Sequence, residues 1–594
     1  MRFPFPWLGF LALIFGGIAV SVEQSEAVVL ARNGASDYVI LIPESAGPPV
    51  RYAARELQKY LEQISGAKLP IAEGTAPRGK PVIIVGEHPR LNRLGVKRTL
   101  KSLGPEGFII RTSGRNLILC GGGPRGTIYS VYTFLEEVLG CRWFAPRVDY
   151  VPKKSEIVLQ KLNIQQKPAF EYREPFFTEA FDRDWAVKLK MNGNSQRLDE
   201  ETGGHVVYGP FVHTFYSLIP PQEFFKDHPE YFSLINGKRQ FEGGQLCLTN
   251  PDVLRICTER VLKWMEEMPQ ATIFSVSQND WYGACQCDKC QAVVKEEGAE
   301  SGLMLRFVNA IAEVTSKKFP DKLIDTLAYQ YTEKPPLKVR PHPNVRVRMC
   351  PIGACQAHPY EKCPENASIV ENLKAWSKIT NQLYIWHYNT NFAHYLLPFP
   401  DFDELAADIE MYHRHGVKGM FMQGAYAPGG GGEFAVMRSY MMAKLLWNPK
   451  ADARAILDEF MQGYYGKAAP AIKRYFDRLH RKVREENIHF RIFDPPTVGY
   501  LTPDVIAASD RDFDEAERLA ADDPVILDRV QQARLSLDYV HLTRDDPKTH
   551  KQELLALLER FEQRLNKYGI TRISEWRPKE EDLKRLRERI EGGG

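Results

Sequence analysis

Two patterns of apolar and polar positions alternate between residues 168 and 450. Short apolar runs bounded by polar turns predict buried β-strands, and the stretches between them place apolar residues at the i, i+3, i+4 spacing of helices. Strands that alternate with helices in this way predict a (β/α)8 TIM barrel. The predicted strands are 170–176, 195–198, 209–215, 272–277, 323–328, 345–349, 383–386 and 419–423, and the helices are 183–191, 252–267, 301–317, 367–379, 402–415 and 434–446.

The flanking regions show other patterns. Residues 28–165 predict a small α/β domain, with strands at 38–42, 81–85, 107–112 and 116–120 and helices at 50–64 and from about 124. Residues 451–594 are mainly helical. The fold class predicted is therefore α/β, with an N-terminal α/β domain (28–165), a central barrel (166–450) and a mostly helical C-terminal region (451–594).

Residues 1–27 have the pattern of an export signal. Arg2 supplies a positive charge, an apolar run follows over 7–20, and Ala27 ends a plausible cleavage site. The run is shorter than the roughly 20 residues of a membrane-spanning helix. We therefore expect a periplasmic or extracellular protein without a membrane span after cleavage.

Composition narrows the function only in part. A net charge of +3 gives no reason to expect nucleic-acid binding. Aromatic residues make up 11% of the chain, and several stand beside polar residues, a mixture that suits stacking on sugar rings as well as an ordinary core. No cofactor is predicted, and the oligomeric state stays open.

The candidate chemistry lies where the predicted barrel strands end, because TIM barrels hold their active sites at the C-terminal ends of the strands. Hydrolysis of a glycosidic bond usually uses two carboxyl groups. Asp280, directly after the strand 272–277, is the predicted general acid, and Glu174, Glu333 and Glu433 are candidates for the second carboxylate. The predicted sugar-binding residues are Arg173, His213, Asn279, Trp281, Tyr329, Trp386 and His387.

Ten cysteines allow two interpretations. Cys285, Cys287 and Cys290 form one cluster, and Cys350, Cys355 and Cys363 form another; the remaining cysteines lie in apolar surroundings. Export favours disulfides that join the two clusters. A zinc site is the alternative, formed by Cys285, Cys287 and Cys290 together with Cys350, Cys355 and Cys363, and with His358 as a further ligand.

Two stretches carry a family resemblance. Residues 122–136 (GGPRGTIYSVYTFLE) and 139–146 (LGCRWFAP) resemble the N-terminal accessory domain of family-20 β-hexosaminidases and family-67 α-glucuronidases. In those enzymes this domain precedes a (β/α)8 barrel and carries no catalytic residue. The resemblance implies that residues 28–165 support the barrel.

A second resemblance covers almost the whole mature chain. Asp280-Trp281-Tyr282, followed by Cys-x-Cys-x2-Cys, and the later Trp447-x-Pro449 resemble the family known as domain of unknown function 4838, which is related to those hydrolases. Family-20 enzymes carry an Asp-Glu pair where this chain has Asn279-Asp280. Because an Asn cannot supply the charge of the first Asp, hydrolysis assisted by a substrate acetamido group is not expected here.

These observations predict an exported glycoside hydrolase that acts by carboxylate acid/base catalysis on a glycan or oligosaccharide, with uronic acids and amino sugars as candidate constituents. If the sugar is a uronic acid, Arg173 is the expected partner of its carboxylate. Two alternatives stay open. One is a non-catalytic glycan-binding protein on a degenerate hydrolase barrel, and the other is a metal-dependent hydrolase that uses the Cys/His cluster.

Overall fold

The computed structural model describes residues 28–592. The predicted export signal, residues 1–27, lies outside this range. Within the range, an N-terminal sheet domain, a curled parallel sheet and a C-terminal helical region follow one another, which confirms the predicted fold class. Among the helices of this described range, none combines the length and apolar character needed to cross a membrane.

The N-terminal domain is built on a six-stranded sheet in the order β10-β5-β6-β4-β2-β3. Helix α1 begins at Pro48 and ends at Ser65, and the next residue, Gly66, has a φ of 78° that glycine readily adopts. Helices α1 and α3 pack together with one face of this sheet into the main core. The elements are β1 Val28–Arg32, β2 Val39–Ile42, α1 Pro48–Ser65, β3 Ile71–Glu73, β4 Val82–Val85, α2 Val96–Leu103, β5 Phe108–Ser113, β6 Asn116–Gly121, α3 Pro124–Thr133, β7 Arg142–Ala145, β8 Val148–Tyr150, β9 Glu156–Leu159 and β10 Asn163–Gln166.

The central region holds six parallel strands in the order β11-β18-β17-β16-β15-β14, the neighbour order of a (β/α)8 barrel. Helices precede or follow most of these strands, as predicted. The elements are β11 Tyr172–Phe176, α4 Arg183–Lys188, α5 Phe215–Leu218, α6 Pro221–Phe224, β12 Leu234–Ile235, β13 Lys238–Arg239, α7 Pro251–Glu267, β14 Ile273–Ser275, α8 Asp288–Glu297, α9 Glu300–Lys318, β15 Leu323–Tyr329, β16 Val345–Cys350, α10 Ala367–Ile379, β17 Leu383–Tyr388, α11 Phe402–Arg414, β18 Gly419–Gln423 and α12 Ala435–Trp447.

Two strand predictions are wrong, because residues 195–198 and 209–215 do not form regular β-strands. Irregular backbone occupies these positions, with hydrogen bonds from Arg197 N to Phe181 O (3.3 Å) and from Gly209 N to Ile273 O (2.8 Å). One parallel bridge joins Tyr208 to Ile273. The sequence between 203 and 210 contains three glycines and a proline, which weaken or interrupt a strand ladder.

Strand β11 connects the barrel to the N-terminal domain through Arg173. The Arg173 guanidinium donates two hydrogen bonds to Glu106, from Nη1 to Oε2 (2.9 Å) and from Nη2 to Oε1 (3.0 Å). Both side chains are buried. Arg125 donates a further bond to Glu106, from Nε to Oε1 (2.8 Å). A buried charge cluster therefore occupies this domain interface.

The C-terminal region consists of six helices and two non-helical segments that lie on the barrel. The segment 486–502 is attached by bonds from Gln356 N to Phe490 O (2.9 Å) and from Phe392 N to Ile492 O (2.8 Å). The segment 568–578 is attached by a bond from Glu575 N to Phe392 O (2.8 Å). The helices are α13 Ala453–Tyr465, α14 Ala469–Glu485, α15 Pro503–Ala520, α16 Pro524–Arg544, α17 Pro547–Lys567 and α18 Lys579–Gly592.

Candidate active site

A pocket of about 550 Å³ opens where β15, β16, β17 and β18 end. This is the end of the sheet at which TIM barrels carry their active sites. Loops of the barrel and both non-helical segments of the C-terminal region complete its walls. The lining residues are Phe176, Phe211, Val212, His213, Asp280, Leu327, Tyr329, Gln330, Cys350, Ile352, Trp386, Tyr388, Phe392, Phe421, Gln423, Tyr426, Phe493, Glu575 and Trp576.

Asp280 is the carboxylate that the sequence predicted at this position. It follows β14, and Tyr329 at the end of β15 donates a hydrogen bond from its hydroxyl to Asp280 Oδ1 (2.9 Å). His213 Nε2 lies 3.9 Å from the same oxygen. His213 Nδ1 lies 2.7 Å from the carbonyl oxygen of Gln278, which can only accept, so Nδ1 carries a hydrogen and the ring orientation is fixed.

Glu575 is a second carboxylate in the same pocket, and it comes from the C-terminal region. Its Oε1 accepts hydrogen bonds from Gln423 Nε2 (3.2 Å) and from the Tyr426 hydroxyl (3.3 Å). Trp386 Nε1 donates to Gln423 Oε1 (2.7 Å), which fixes the orientation of that amide. Burial raises the pKa of Glu575 above its ordinary value, and the negative charge of Asp280 adds to the increase.

Two lining residues have backbone conformations that are unusual outside glycine. His213 has φ 54° and Gln330 has φ 53°. This left-handed conformation raises the conformational free energy of any residue other than glycine, and residues that adopt it concentrate at functional sites. His213 precedes Asp280 in the chain and Gln330 follows it, yet all three residues line the same pocket. Two such backbone conformations in one pocket are expected of a ligand-binding site.

Ten of the nineteen residues that line the pocket are Phe, Tyr or Trp. Trp386 and Phe421 pack edge to face in the pocket wall, with ring centroids 4.7 Å apart. At the rim, Phe493 and Trp576 lie 5.6 Å apart and are 45% and 56% exposed. Flat exposed rings next to carboxylates and amides suit the stacking of a sugar ring.

Several predicted site residues lie away from the lining. Arg173 faces the N-terminal domain, as described above. Asn279 is buried, and its Nδ2 donates to Gly244 O (3.3 Å). Trp281 donates from Nε1 to the same carbonyl (2.7 Å) and is 38% exposed beside the pocket. The structure therefore brings Asp280, His213, Tyr329 and Trp386 together and leaves these three apart.

His387 lies on the outer face of β17, against α11. Its Nε2 is 3.0 Å from Glu404 Oε1 and 3.9 Å from Asp408 Oδ2, and all three side chains are buried. Burial acts to lower the pKa of His387, but these carboxylates raise it to about 10. His387 is thus part of a buried charge cluster between a strand and a helix, outside the pocket.

The other predicted carboxylates also lie elsewhere. Glu174 is buried and accepts bonds from the backbone N–H groups of Asn194 (3.2 Å) and Ser195 (2.8 Å), and burial raises its pKa to about 7. Glu433 is buried and paired with Arg438 (2.7 Å). Glu333 accepts a bond from Asn372 Nδ2 (3.3 Å). None of the three is among the pocket-lining residues of the described chain.

The cysteine arrangement corrects the disulfide prediction. All ten cysteines fall within residues 28–592, and all are free. Cys285, Cys287 and Cys290 gather around Cys247, whereas Cys355 and Cys363 gather around two histidines. Cys350 lies separately in the pocket wall. The two clusters are therefore separate groups, and no disulfide joins them within residues 28–592.

The sequence pattern did not predict Glu575, Trp576 and Phe493 as site residues, because all three come from a region predicted to be helical. A signal existed in the sequence. Residues 568–578 interrupt two helical patterns, and Glu575-Trp576 places an aromatic residue beside a carboxylate in this short break.

Comparison with solved structures shows which fold this is. A family GH115 4-O-methyl-α-glucuronidase with specificity for decorated arabinogalactans superposes with a TM-score of 0.56 at 12% identity, over 92% of this chain and 78% of that one. A GH138 enzyme targeting pectin rhamnogalacturonan II gives 0.48 at 11% identity over 93% and 98%, and a chitobiase from Flavobacterium johnsoniae gives 0.46 at 11% over 90% and 93%. The first of these likenesses supports a glycosidase-type fold.

Sequence comparison adds the family. Comparison with curated proteins found no match. Residues 23–134 match the model described as glycosyl hydrolase family 67 N-terminus, in agreement with the resemblance of the N-terminal domain. Residues 143–477, more than half of the chain, match the model of domain of unknown function DUF4838. The chain therefore belongs to the DUF4838 family.

Proposed function

We propose that this protein is a glycoside hydrolase whose active site is the pocket that contains Asp280 and Glu575. One observation carries the proposal: two carboxyl groups from distant parts of the chain share one aromatic-lined pocket at the C-terminal ends of the barrel strands. Glycosidic bonds are usually hydrolysed by such a pair. The predicted export signal would place this activity in the periplasm or outside the cell.

The surroundings of the two carboxyl groups favour different roles. A general acid must hold a proton at working pH, and a raised pKa serves this purpose. The raised pKa of Glu575 therefore makes it the acid that protonates the leaving oxygen. Asp280, which accepts the Tyr329 hydrogen bond, then attacks the sugar or activates water. Glu575 thus takes the role of general acid that was predicted for Asp280 from the sequence, and Asp280 becomes the second carboxylate.

The charge of the pocket favours a neutral sugar. Among the described residues that line it, none is Lys or Arg, whereas two are acidic. A uronic acid would bring a third carboxylate to this lining, and Arg173, the partner expected from the sequence, is bound to Glu106 instead. Repulsion between like charges in a partly buried site opposes such a ligand. We therefore propose that a neutral glycosyl unit occupies the position between Asp280 and Glu575.

The two alternatives have less support. A degenerate, binding-only barrel was suggested by the lack of a clear second carboxylate, and Glu575 supplies one. A metal-dependent hydrolase would need metal ligands at the pocket. The Cys and Cys/His groups that could hold a metal lie outside the pocket lining in the described part of the chain.

The test is a hydrolysis screen with matched variants. Purified protein is incubated with neutral and uronic-acid-containing oligosaccharides and polysaccharides, and release of reducing ends is measured. We expect activity on a neutral glycan, and we expect D280N and E575Q each to lower kcat by about 10²- to 10⁴-fold. Binding of the same glycan, measured by calorimetry, should change much less.

Glu333→Gln is the matched control. It removes a carboxylate of the barrel that lies outside the pocket lining and keeps an oxygen to accept the Asn372 hydrogen bond. This variant should retain wild-type turnover. Undiminished activity of D280N and E575Q would refute the proposed site. Glycan binding by the wild type without any bond cleavage would instead select the binding-only alternative.

A further inference from the structure

We propose that this protein binds two structural zinc ions at sites outside the active-site pocket. The first site consists of Cys247, Cys285, Cys287 and Cys290, and the second of Cys355, His358, Cys363 and His489. In each set the four ligand atoms, one from each residue, lie within 4.8 Å of one another. Sets of four Cys or of two Cys and two His are the usual ligands of structural zinc.

The sulfur positions of the first site fit a single tetrahedral ion. Cys247 Sγ lies 3.7 Å from Cys287 Sγ and 3.8 Å from Cys290 Sγ. Four sulfurs at about 2.3 Å from one zinc ion lie about 3.8 Å from one another. A disulfide would bring two sulfurs to about 2.05 Å. The observed spacing therefore matches shared coordination and not a covalent bond.

Groups around the first site suit thiolates. The backbone N–H of Leu234 donates to Cys285 Sγ (3.4 Å), and Arg239 Nη1 lies 3.6 Å from the same sulfur. Thr249 Oγ1 lies 3.2 Å from Cys290 Sγ. Hydrogen bonds from such outer groups orient metal-bound ligands, and the positive charge of Arg239 offsets part of the excess negative charge of four thiolates on one divalent ion.

The second site has the distances expected for mixed ligands. His489 Nδ1 lies 3.2 Å from Cys355 Sγ and 3.7 Å from Cys363 Sγ, and His358 Nδ1 lies 3.8 Å from Cys355 Sγ. A sulfur and a nitrogen bound to one tetrahedral zinc ion lie about 3.6 Å apart. Four protein ligands leave no open position for water or substrate, so each site is structural and not catalytic.

Each ion would brace one wall of the active-site pocket. Gln245 stands two residues before Cys247, and its Nε2 donates to Asn279 O (3.1 Å) and Trp281 O (2.7 Å), on either side of Asp280. In the second site, His489 belongs to the C-terminal segment that also carries the pocket residue Phe493. Zinc would thus connect both the Asp280 loop and this segment to the barrel.

The test is the metal content of the full-length protein, purified without chelators from zinc-supplemented medium. Plasma mass spectrometry should find about two zinc ions per chain. C290S should lose the first ion and C363S the second. C257S is the matched control, since Cys257 is a buried cysteine on α7 outside both sites, and it should keep both ions. Each loss should also lower the melting temperature.

A second measurement covers the case in which a variant does not fold. Wild-type protein is treated with an organomercurial that binds thiols, and released zinc is followed with a colorimetric indicator. Release of both ions, together with an intact mass of the untreated protein equal to that of the fully reduced chain, supports the proposal. Wild-type protein without zinc, or a mass lower by two hydrogens for each bridge among these six cysteines, would overturn it. If C290S and C363S each retain one zinc ion, the two sites bind zinc separately.

Discussion

The ion pair between Glu106 and Arg173 gives a sharp test of how the N-terminal domain supports the barrel. We consider the variant E106Q, which removes the charge and keeps the size of the side chain. The exposed fractions are 6% for Glu106 and 1% for Arg173, so the variant leaves an arginine buried without its counter-charge. Removing one partner of a buried pair typically costs about 3–5 kcal/mol.

The pKa of Glu106 gives a second estimate. Burial acts to raise it, but the guanidinium groups of Arg173 and Arg125 lower it from 4.5 to about 2. A difference of this size corresponds to about 3 kcal/mol of stability. Because the folded pKa is below the unfolded value, this contribution is present above pH 4.5 and is lost as the pH falls towards 2. Both estimates therefore put the contribution of the Glu106 ion pair to the free energy of unfolding at about 3 kcal/mol.

Urea unfolding at pH 7 measures the effect. Tryptophan fluorescence follows unfolding, and Trp447, whose ring lies 5.5 Å from the Arg173 guanidinium, is one of the nine tryptophans that contribute to the signal. E106Q should lower the free energy of unfolding by about 3 kcal/mol, and the difference from wild type should shrink as the pH falls below 4.5.

Glu156→Gln is the control for this experiment. Glu156 pairs with Arg32 at the surface, where the two side chains are 37% and 64% exposed. Removing a surface pair should change stability by less than about 1 kcal/mol. If E106Q were no more destabilising than E156Q, the buried pair would not stabilise the interface and the reasoning from burial would be wrong.

Three further predictions follow from the site and its surroundings. The Tyr426 hydroxyl lowers the pKa of Glu575, so Y426F should move the alkaline limb of the pH profile of kcat/KM to higher pH, and an unmoved limb would count against Glu575 as the acid. W576A should raise KM several-fold, by removing about 1 kcal/mol of ring stacking, while kcat and the melting temperature stay near wild type. H387A should lower the free energy of urea unfolding by about 3 kcal/mol, because it leaves Glu404 and Asp408 buried without their cation, and an unchanged midpoint would contradict this.

The sequence predicted the barrel because buried parallel strands leave a strong local signal. Runs such as 323–328 and 345–349 needed no long-range information, and Asp280, which follows the run at 272–277, lines the pocket. The second and third strand positions lack such a signal, since glycines and a proline replace apolar runs there. Their place in the barrel depends on hydrogen bonds to neighbouring segments.

Side-chain alternation could have corrected two predicted binding residues. Successive residues of a strand point to opposite faces. On β17, Trp386 and Tyr388 line the pocket, so His387 must face outward. On β11, Tyr172 lies in the barrel interior together with Tyr208 and Tyr384, so Arg173 faces the N-terminal domain. Once the strands are assigned, this alternation predicts from the sequence alone that a residue and its neighbour along the strand face opposite sides of the sheet.

The remaining features depend on contacts between distant segments. Glu575 reaches the pocket because its backbone N–H bonds to Phe392 O, and no local pattern reports such a bond. Likewise, Cys247 and His489 complete their metal-ligand sets from positions far in sequence from the other ligands. Sequence spacing identified parts of both groups, but only the fold brings each set of four together.

The dependence of hydrolysis on the leaving group tests the central claim most directly. Glycosides of the preferred neutral sugar are compared, one with a dinitrophenyl group that leaves without protonation and one with a poor leaving group such as methanol. E575Q should hydrolyse the dinitrophenyl glycoside at nearly the wild-type rate and lose about 10²-fold or more on the poor leaving group. D280N should lose activity on both. Equal losses on both substrates for E575Q, or full activity of D280N, would contradict the assignment of acid and second carboxylate in this pocket.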